Sequence, residues 1–251
     1  MLKKERQLEI LNMVNQFGTI SVAQIVKQLH VSDMTVRRDF DEMAKKNLII
    51  RTHGGATKLE SSDHEKSHLE KQDLQIKEKK AIALKAVALI EDSETIFLGP
   101  GTTLEHLASL LSNKKLRVVT NSLPVFHLLK DSNNIDLILI GGEYRDITGA
   151  FVGSTSIKSL SSLRFSKVFV SANAIRENAI STYSEEEGNL LQLVLNQGIE
   201  TFLVADHTKF GKFDFYNFYN TKDIDHILTD NKIPKHYYNF FEEQLILVET
   251  D

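Results

Sequence analysis

The sequence predicts an α/β protein in two parts: an N-terminal winged helix-turn-helix and a C-terminal, mainly parallel α/β domain. Three observations lead to this prediction. Three stretches with helical apolar spacing open the chain, and only His30-Val31-Ser32 separates the second from the third. A His-Gly-Gly turn follows them. Beyond residue 80, short apolar segments alternate with helical ones, as in sheets of parallel strands.

Composition limits the class of protein. The chain has 251 residues, of which 41% are hydrophobic and 25% charged, as in ordinary globular proteins. It has no cysteine, which excludes disulfides and cysteine-ligated zinc or iron–sulfur sites. The N-terminus is charged, and no apolar run is long enough to span a bilayer. We expect a cytoplasmic protein without a membrane partner, and we expect neither a metal nor a cofactor.

Charge is unevenly distributed along the chain. Residues 1–58 contain 10 Lys/Arg and 6 Asp/Glu and carry a net charge of +4, whereas residues 59–251 carry −8. A small basic segment joined to an acidic body favours nucleic-acid binding by the basic segment.

The first two helices are predicted from apolar spacing and end signals. The first has an apolar stripe that ends before Gly18 and consists of Leu8, Leu11, Val14 and Phe17. Ser21 is the predicted N-cap of the second helix, whose stripe consists of Ile25, Val26 and Leu29.

The third helix carries the side chains with the chemistry for recognition. Ser32 is its predicted N-cap, and its apolar face consists of Val36, Phe40 and Met43. The side chains of its first turns lie largely off that face: Met34, Thr35, Arg37 and Arg38. In a helix-turn-helix these turns enter the major groove of DNA, where Arg contacts guanine or phosphate and Met a thymine methyl. A solvated helix face is the alternative, but the tight turn, the cap and the basic charge favour DNA contact.

A small β-hairpin is predicted after the third helix. Residues 48–51 alternate in character, the glycines of His53-Gly54-Gly55 are expected to supply positive φ, and the chain then returns. This hairpin is the wing. Its basic side chains would contact phosphate or the minor groove, and they are Arg51, His53 and Lys58. A metal at His53 is disfavoured because no Cys or carboxylate stands at ligand spacing.

The stretch VSDMTVRRDFDEM, followed by HGGA, resembles the N-terminal signature of the DeoR family of bacterial transcriptional repressors. The resemblance covers roughly residues 1–57. It implies that operator double-stranded DNA is a partner of this part of the chain.

Residues 59–80 are almost wholly polar and are interpreted as a linker between domains 1–58 and 81–251. The linker is either a flexible connector or an exposed helix, and we expect it to contribute nothing to a core. His64 and His68 stand four residues apart and could bind a metal on a helix, although solvated histidines are the simpler interpretation.

Several predicted strands of the second domain end in small or polar residues. If the strands are parallel, these ends meet at one edge of the sheet, where ligands bind in such folds. We predict that the residues there contact an effector: Gly99, Pro100, Gly101, Thr102, Thr103, Asn121, Ser122, Gly141, Gly142, Arg145, Asn173, Asp206 and Lys209.

The segment from Gly99 to Thr103 predicts an anion site. Its glycines let a ligand approach backbone N–H groups, and the helix that begins near Thr103 directs its positive dipole end to the same place. The threonine hydroxyls can donate to phosphate oxygens, and Lys209 and Arg145 can add positive charge. The segment matches neither a P-loop nor G-x-G-x-x-G. A small phosphorylated molecule is therefore favoured over ATP or NAD.

The second domain resembles the C-terminal sensor domain of the same family. Four stretches carry this resemblance: FLGPGTTLE, GGEYRDITGAFVGS, SEEEGNLLQL and KFDFYNFYN. This resemblance implies a fold similar to ribose-5-phosphate isomerase, a bound phosphorylated sugar and a homo-oligomer. The same stretches resemble a subgroup that represses lactose or galactose genes, for which the implied effector is tagatose 6-phosphate.

Two positions depart from the family pattern. Many members have an Asp just before the Gly-Thr-Thr, where this chain has Gly99 and Pro100. An Asn-Gly pair commonly ends a later strand, where this chain has Asn173 and Ala174. We expect the first departure to change the family's sugar contacts at that position, and the second to change the backbone geometry near the ligand.

An alternative function is a sugar-phosphate isomerase with an accessory DNA-binding head. An aldose–ketose isomerase needs a carboxylate base near its phosphate site, and the candidates are Asp206 and residues 185–187. Asp206 more simply orients a sugar hydroxyl, and the glutamates equally suit the N-terminal end of a helix. The resemblance and the intact head favour the sensor, so no catalytic residue is assigned.

Overall fold

The computed structural model describes residues 3–45, 49–57 and 65–250. The chain divides into two compact units, Met1–Ser61 and Ser62–Asp251. In the first unit, three helices accompany an antiparallel sheet of strand order β1-β3-β2. Its elements are α1 (Lys3–Phe17), β1 (Thr19–Ser21), α2 (Val22–Leu29), α3 (Asp33–Lys45), β2 (Ile50–Thr52) and β3 (Gly55–Thr57).

Caps fix the helix-turn-helix. The Ser21 side chain accepts a hydrogen bond from the Gln24 N–H, and the Gln24 side chain accepts one in return from the Ser21 N–H, which completes a capping box. His30 then takes the left-handed conformation, with φ of 53°, and ends α2. Ser32 Oγ accepts from the Thr35 N–H at 3.2 Å at the start of α3. Both predicted N-caps are confirmed.

The core of the first unit joins the three helices to the sheet. Its buried residues are Ile10, Met13, Val14, Ile20, Val22, Ile25, Val36, Phe40, Met43, Ile49 and Ala56. Phe17, predicted to lie on the apolar face of α1, is instead 58% exposed. It is the last residue of the helix, and the chain turns into β1 before Phe17 can reach the core.

Gly55 is needed for close contact rather than for an unusual backbone conformation. Neither Gly54 nor Gly55 has positive φ, so that part of the hairpin prediction is wrong. A Cβ at Gly55 would lie 2.1 Å from the carbonyl oxygen of Ile20 in β1. Strand β1 was not predicted from the sequence, and therefore its contact with Gly55 was not expected.

We expect Gly55→Ala to destabilise the first unit by about 1–3 kcal/mol, because the added methyl group must push β1 away from β3. Hydrogen exchange of the β1 and β3 amides measures this loss. Gly54→Ala is the matched control, because a Cβ there meets nothing within 4 Å. Equal exchange in the two variants would contradict the explanation.

The second unit is built on a seven-stranded sheet of order β15-β14-β12-β9-β4-β5-β6, in which every neighbouring pair is parallel. Two smaller antiparallel sheets, β7-β8 and β10-β11-β13, accompany it. The strands are β4 (Thr95–Leu98), β5 (Leu116–Thr120), β6 (Ile135–Leu139), β7 (Glu143–Arg145), β8 (Ala150–Val152), β9 (Phe165–Val170), β10 (Ala174–Arg176), β11 (Ala179–Thr182), β12 (Gly198–Val204), β13 (Tyr216–Asn220), β14 (His226–Asp230) and β15 (Leu245–Val248).

Helices cover both faces of the large sheet. Alternation along β4 places Ile96 and Leu98 in one core and Phe97 in the other. The first core also contains residues of α5, α6 and α7, and the second contains residues of α8, α9 and α10. The helices are α4 (His68–Gln72), α5 (Ile76–Ala88), α6 (Thr102–Ser109), α7 (Leu123–Leu129), α8 (Ser154–Leu160), α9 (Glu185–Leu195) and α10 (His236–Phe241). The predicted α/β class with a mainly parallel sheet is confirmed.

Residues 65–80 belong to the second unit, although the sequence analysis assigned them to a linker. They include α4 and the start of α5, and Glu65, Glu78 and Lys79 are only 4%, 6% and 3% exposed. The prediction of a linker is therefore wrong from Glu65 onward, although none of the residues 65–80 belongs to the two hydrophobic cores of the second unit. Polar side chains are buried here because ion pairs and hydrogen bonds satisfy them. None of the described helices is long and apolar enough to cross a bilayer.

Candidate functional site

The first candidate surface is the exposed start of α3. Met34 is 65% exposed, and Arg37 and Arg38 are exposed beside it. Thr35 is half-buried, and its hydroxyl lies 2.8 Å from the hydroxyl of Ser32. The N-cap therefore uses Ser32 and Thr35, and the side chains best placed to reach a DNA groove are the other three.

The two arginines of α3 have different surroundings. Arg37 Nε donates to Asp33 Oδ1 at 2.5 Å, one helical turn away. This hydrogen bond raises the pKa of Arg37 above its ordinary value. Arg38 has no side-chain partner in the part of the chain that the structure describes. To contact DNA, Arg37 would have to release Asp33, whereas Arg38 would have no such bond to break among the described residues.

Asp39, the acid of the Arg-Arg-Asp sequence, has a structural role. It is 2% exposed and accepts hydrogen bonds from Nε and Nη2 of Arg6 in α1. This pair joins α1 to α3. The sequence analysis missed Arg6, but the spacing offered a signal, because Asp39 lies three residues after Val36 on the apolar face of α3.

The wing residues predicted to contact DNA differ in how their side chains are bonded within the first unit. Arg51 donates to Asp41 at 2.9 Å and to the Gly55 carbonyl at 3.1 Å, and it lies 5.5 Å from the centre of the Phe40 ring. It therefore fastens the wing to α3. His53 is exposed at the turn of the hairpin. Lys58 lies outside the described residues.

The second candidate surface is an edge of the large sheet, which we call the rim. It consists of the segments that follow β12, β9, β4, β5 and β6, at residues 205–209, 171–173, 99–103, 121–122 and 141–142. These strands are neighbours in the sheet and run parallel. Their carboxyl ends therefore lie along one edge, and the predicted convergence of five strand ends is confirmed.

The Gly-Pro-Gly-Thr-Thr segment turns the chain from β4 into α6. Gly101 has φ of +134°, which L-residues rarely adopt, and it precedes the first residue of α6. No side chain caps this helix. Thr102 and Thr103 are 8% and 4% exposed, and their hydroxyls bond to none of the described residues. Pro100 is buried. Amide and hydroxyl donors at this helix end can therefore bind an anion.

Three lysines lie at the rim. Lys79 Nζ donates to the Lys71 carbonyl at 2.5 Å, and Lys71 Nζ donates to Asn173 Oδ1 at 3.0 Å. Lys209 has no side-chain partner among the described residues. Burial lowers the pKa of all three, and it lowers the pKa of Lys209 to about 8; Asp206 opposes the shift of Lys209, and Lys71 and Lys79 add to it. An anionic ligand would neutralise this cluster.

Asp206 orients the segment that carries Lys209. It is 2% exposed, and its Oδ1 accepts from both the N–H and the hydroxyl of Thr208. Next to it, Asp230 accepts from the backbone N–H of His207 at 2.7 Å and contacts the imidazole Nδ1 at 2.8 Å. These bonds fix the short 3-10 turn His207–Lys209 at the rim.

Arg145 is already paired with carboxylates. Both of its terminal nitrogens donate to Glu65, and Nη1 lies 3.5 Å from Glu187 Oε2. Burial raises the pKa of Glu187 to about 7, and Arg145 opposes this rise. Contrary to expectation, Arg145 therefore brings little unneutralised charge to a phosphate.

Four other predicted residues support the rim from within or beside it. Asn121 and Ser122 are fully buried: the Asn121 side chain donates to the Phe151 carbonyl at 2.9 Å, and Ser122 caps α7. Gly141 and Gly142 are exposed, but a Cβ at Gly142 would lie 2.0 Å from Ser156 Oγ. These contacts give a structural role to three of the four, because they pack neighbouring segments of the chain together: Asn121, Ser122 and Gly142.

Three residues beside the rim were not predicted from the sequence: Glu65, Lys71 and Lys79. Lys79 had a detectable signal, because it shares one helix face with Ile82, Ala83 and Ala86, at offsets of 3, 4 and 7 residues. A lysine within an apolar stripe indicates a buried charge that has a partner or a function. Glu65 and Lys71 lie in a polar run without periodicity, and no comparable signal marks them.

We expect Arg145→Met to destabilise the second unit by about 3–5 kcal/mol, because it leaves Glu65 and Glu187 buried without a cation. Burial raises the folded-state pKa of Glu187 to about 7, which makes the loss pH-dependent: it is smallest well below pH 7, where Glu187 is protonated, and grows as pH rises through about 7. Denaturant unfolding across this range measures it.

Arg117→Met is the matched control, since Arg117 pairs with Asp136 and both side chains are more than half exposed. This control substitution should lower the free energy of unfolding by less than about 1 kcal/mol. A loss in Arg145→Met that is small or independent of pH would contradict the buried-pair interpretation.

Two family models match the chain. The model described as DeoR-like helix-turn-helix domain matches residues 6–62, and that described as DeoR C terminal sensor domain matches residues 74–231.

Curated relatives match along most or all of their length. A protein named lactose phosphotransferase system repressor from Lactococcus lactis subsp. lactis is 52% identical over 255 residues and covers 100% of both chains. Proteins of the same name from Staphylococcus epidermidis and Staphylococcus aureus are 44% and 45% identical, over 92% of this chain and 93% of theirs.

Solved structures are more distant. Ribose 5-phosphate isomerase A from Methanocaldococcus jannaschii gives a TM-score of 0.39 at 19% identity, over 53% of this chain and 54% of that one. eIF2B delta from Chaetomium thermophilum gives 0.47 at 18% identity, over 62% and 56%. Assignment therefore rests on the family models and on the full-length identity. By both criteria, the chain belongs to the DeoR family.

Proposed function

We propose that this chain is a DNA-binding repressor of sugar-catabolic genes, which is released from its operator when a phosphorylated sugar binds at the rim. One observation carries the proposal. The same chain has a helix-turn-helix with exposed Arg37 and Arg38, and a rim with an uncapped helix and three partly or fully buried lysines. The first feature suits the phosphates and bases of DNA, and the second suits a small anion.

The proposed ligand contacts follow from the donors at the rim. Thr102, Thr103 and the first amides of α6 would bind the phosphate, and Lys79 and Lys209 would neutralise it. Asn173 and Asp206 would orient sugar hydroxyls, because their oxygen and nitrogen atoms suit directional hydrogen bonds.

A finer proposal concerns the ligand and the genes. The relatives that match at 44–52% identity are named lactose phosphotransferase system repressors. This similarity supports repression of lactose or galactose genes and tagatose 6-phosphate as the effector. We also propose that the protein acts in the cytoplasm. We further propose that it is a homo-oligomer, because two tethered DNA-binding units bind repeated half-sites more tightly than one.

An isomerase is disfavoured as a second candidate. Its base would have to be a carboxylate that reaches the sugar. Glu187 is 6% exposed and lies beside Arg145, and Asp206, whose Oδ1 already accepts two hydrogen bonds from Thr208, more simply orients a sugar hydroxyl. The curated relatives quoted above are named repressors.

Thermal unfolding with a panel of sugar phosphates tests the proposed function. A ligand at about 100 times its dissociation constant adds about 2.7 kcal/mol of stability. The panel should contain tagatose 6-phosphate, other hexose phosphates and unphosphorylated tagatose. The proposal expects stabilisation only by phosphorylated sugars and no turnover of any of them. Turnover would favour the isomerase.

We expect Arg37→Ala to weaken operator binding by about ten- to a hundredfold if Arg37 contacts a base, with a much smaller effect on random DNA. Fluorescence anisotropy with both DNAs measures the two effects. Arg117→Ala, which removes an exposed arginine from the second unit, is the control and should change neither. Equal losses on both DNAs would reassign Arg37 to a phosphate.

Effector affinity should fall as pH rises through about 8. Lys209 has a pKa of about 8 without ligand, and a bound phosphate raises that pKa, so affinity is highest below 8 and declines until the bound form also deprotonates. Calorimetric titrations from pH 7 to pH 9.5 measure the slope. Lys209→Met should bind more weakly at pH 7 and show a flatter profile. An unchanged slope in this variant would exclude Lys209 as its cause.

A further inference from the structure

Residues 65–72 form what we call the strap, a segment that contacts the rim and its flanking residues at several points. Glu65 pairs with Arg145, and the His68 backbone N–H donates to the carbonyl oxygen of Ile147 at 2.6 Å. The other contacts are between the His68 Nε2 and Glu105 Oε1, at 2.6 Å, and between Lys71 Nζ and Asn173 Oδ1, at 3.0 Å. The strap therefore touches the β7-β8 hairpin, the first turn of α6 and the segment that follows β9.

The strap also occupies a particular place in the chain. Glu65 comes only eight positions after Thr57, the last residue of β3. Neither family model covers residues 63–73. The segment that contacts the rim is thus the segment through which the chain continues to the DNA-binding unit.

Lys71 is the strap residue best placed to sense an anion. Its only hydrogen-bond acceptor among the described residues is the neutral amide oxygen of Asn173, so its ammonium group lacks a direct ionic partner. Its backbone carbonyl accepts from Lys79, which is almost fully buried. Burial lowers the pKa of Lys71, while more distant carboxylates of Glu65, Glu187 and Asp214 oppose this. A bound anion would supply the missing partner.

Resting on the proposed sugar-phosphate site, we propose that the strap completes this site: Lys71 donates to the bound ligand, and occupancy fixes the segment that leads to the DNA-binding unit. Lys71, Lys79 and Lys209 would share the ligand's negative charge, which removes the repulsion among them. The strap is then held by the ligand as well as by Glu65 and His68. Ligand binding at the rim thereby restrains the segment that contains Glu65, which is close in sequence to the wing.

The test uses the full-length chain and the variant Lys71→Met. We expect the variant to bind tagatose 6-phosphate and inorganic phosphate about ten- to a hundredfold more weakly, because it loses a charge-assisted hydrogen bond. In the wild type, saturating tagatose 6-phosphate should slow hydrogen exchange of the amides at residues 65–72, and in Lys71→Met it should not. Lys66→Met, which removes the exposed neighbouring lysine, should behave as the wild type.

Two further outcomes separate the strap from the proposed function. If the wild type binds neither probe, the proposed effector site fails. If the wild type binds and Lys71→Met binds equally well with the same amide protection, the strap inference is overturned while the proposed function stands. Lys71→Arg guards against misfolding: with melting like the wild type, it should recover most of the affinity lost in Lys71→Met. An Lys71→Arg variant that melts normally yet binds as weakly as Lys71→Met would also overturn the inference.

Discussion

The parallel pairing of the seven-stranded sheet is the constraint on which the second unit depends. It brings five neighbouring strand ends to one edge, and it places the start of α6 there without a side-chain cap. Backbone donors, threonine hydroxyls and lysines then lie together although their sequence positions range from 71 to 209. No local signal could assemble that group, although Lys79 alone is marked by its place in an apolar stripe.

Both units contain buried charged side chains, and in both units these side chains have hydrogen-bond or ion-pair partners. In the first unit, Arg6 and Asp39 join two helices through a nearly buried pair. In the second, Arg145 is shared between Glu65 and Glu187, while Lys79 bonds to a backbone carbonyl. Such pairs contribute little net stability, but removal of one partner is costly. Lys71 and Lys209 differ because neither has a carboxylate bonded to it among the described residues, and the proposed effector site depends on this difference.

Features fixed by local chemistry were predictable from the sequence. The caps at Ser21 and Ser32, the class of the sheet and the positions of the strand ends follow from spacing and from residues that turn the chain. Features fixed by distant contacts were not predictable. Phe17 is exposed because the chain turns early, Gly55 is needed because β1 lies against it, and residues 65–80 are packed because partners far along the chain satisfy their charges. The convergence of strand ends at the rim was predicted, but the lysines at 71 and 79 beside it were not.

In the proposed function, one chain couples DNA binding to ligand binding. By thermodynamic linkage, each ligand then changes the affinity for the other by the same factor, so the coupling can be measured from either side. The most direct measurement is the affinity of the full-length protein for tagatose 6-phosphate, determined by calorimetry with and without saturating operator DNA. The account predicts that operator DNA weakens the affinity for the sugar phosphate by the same factor by which the sugar phosphate weakens operator binding. Equal sugar-phosphate affinities with and without operator DNA would contradict it.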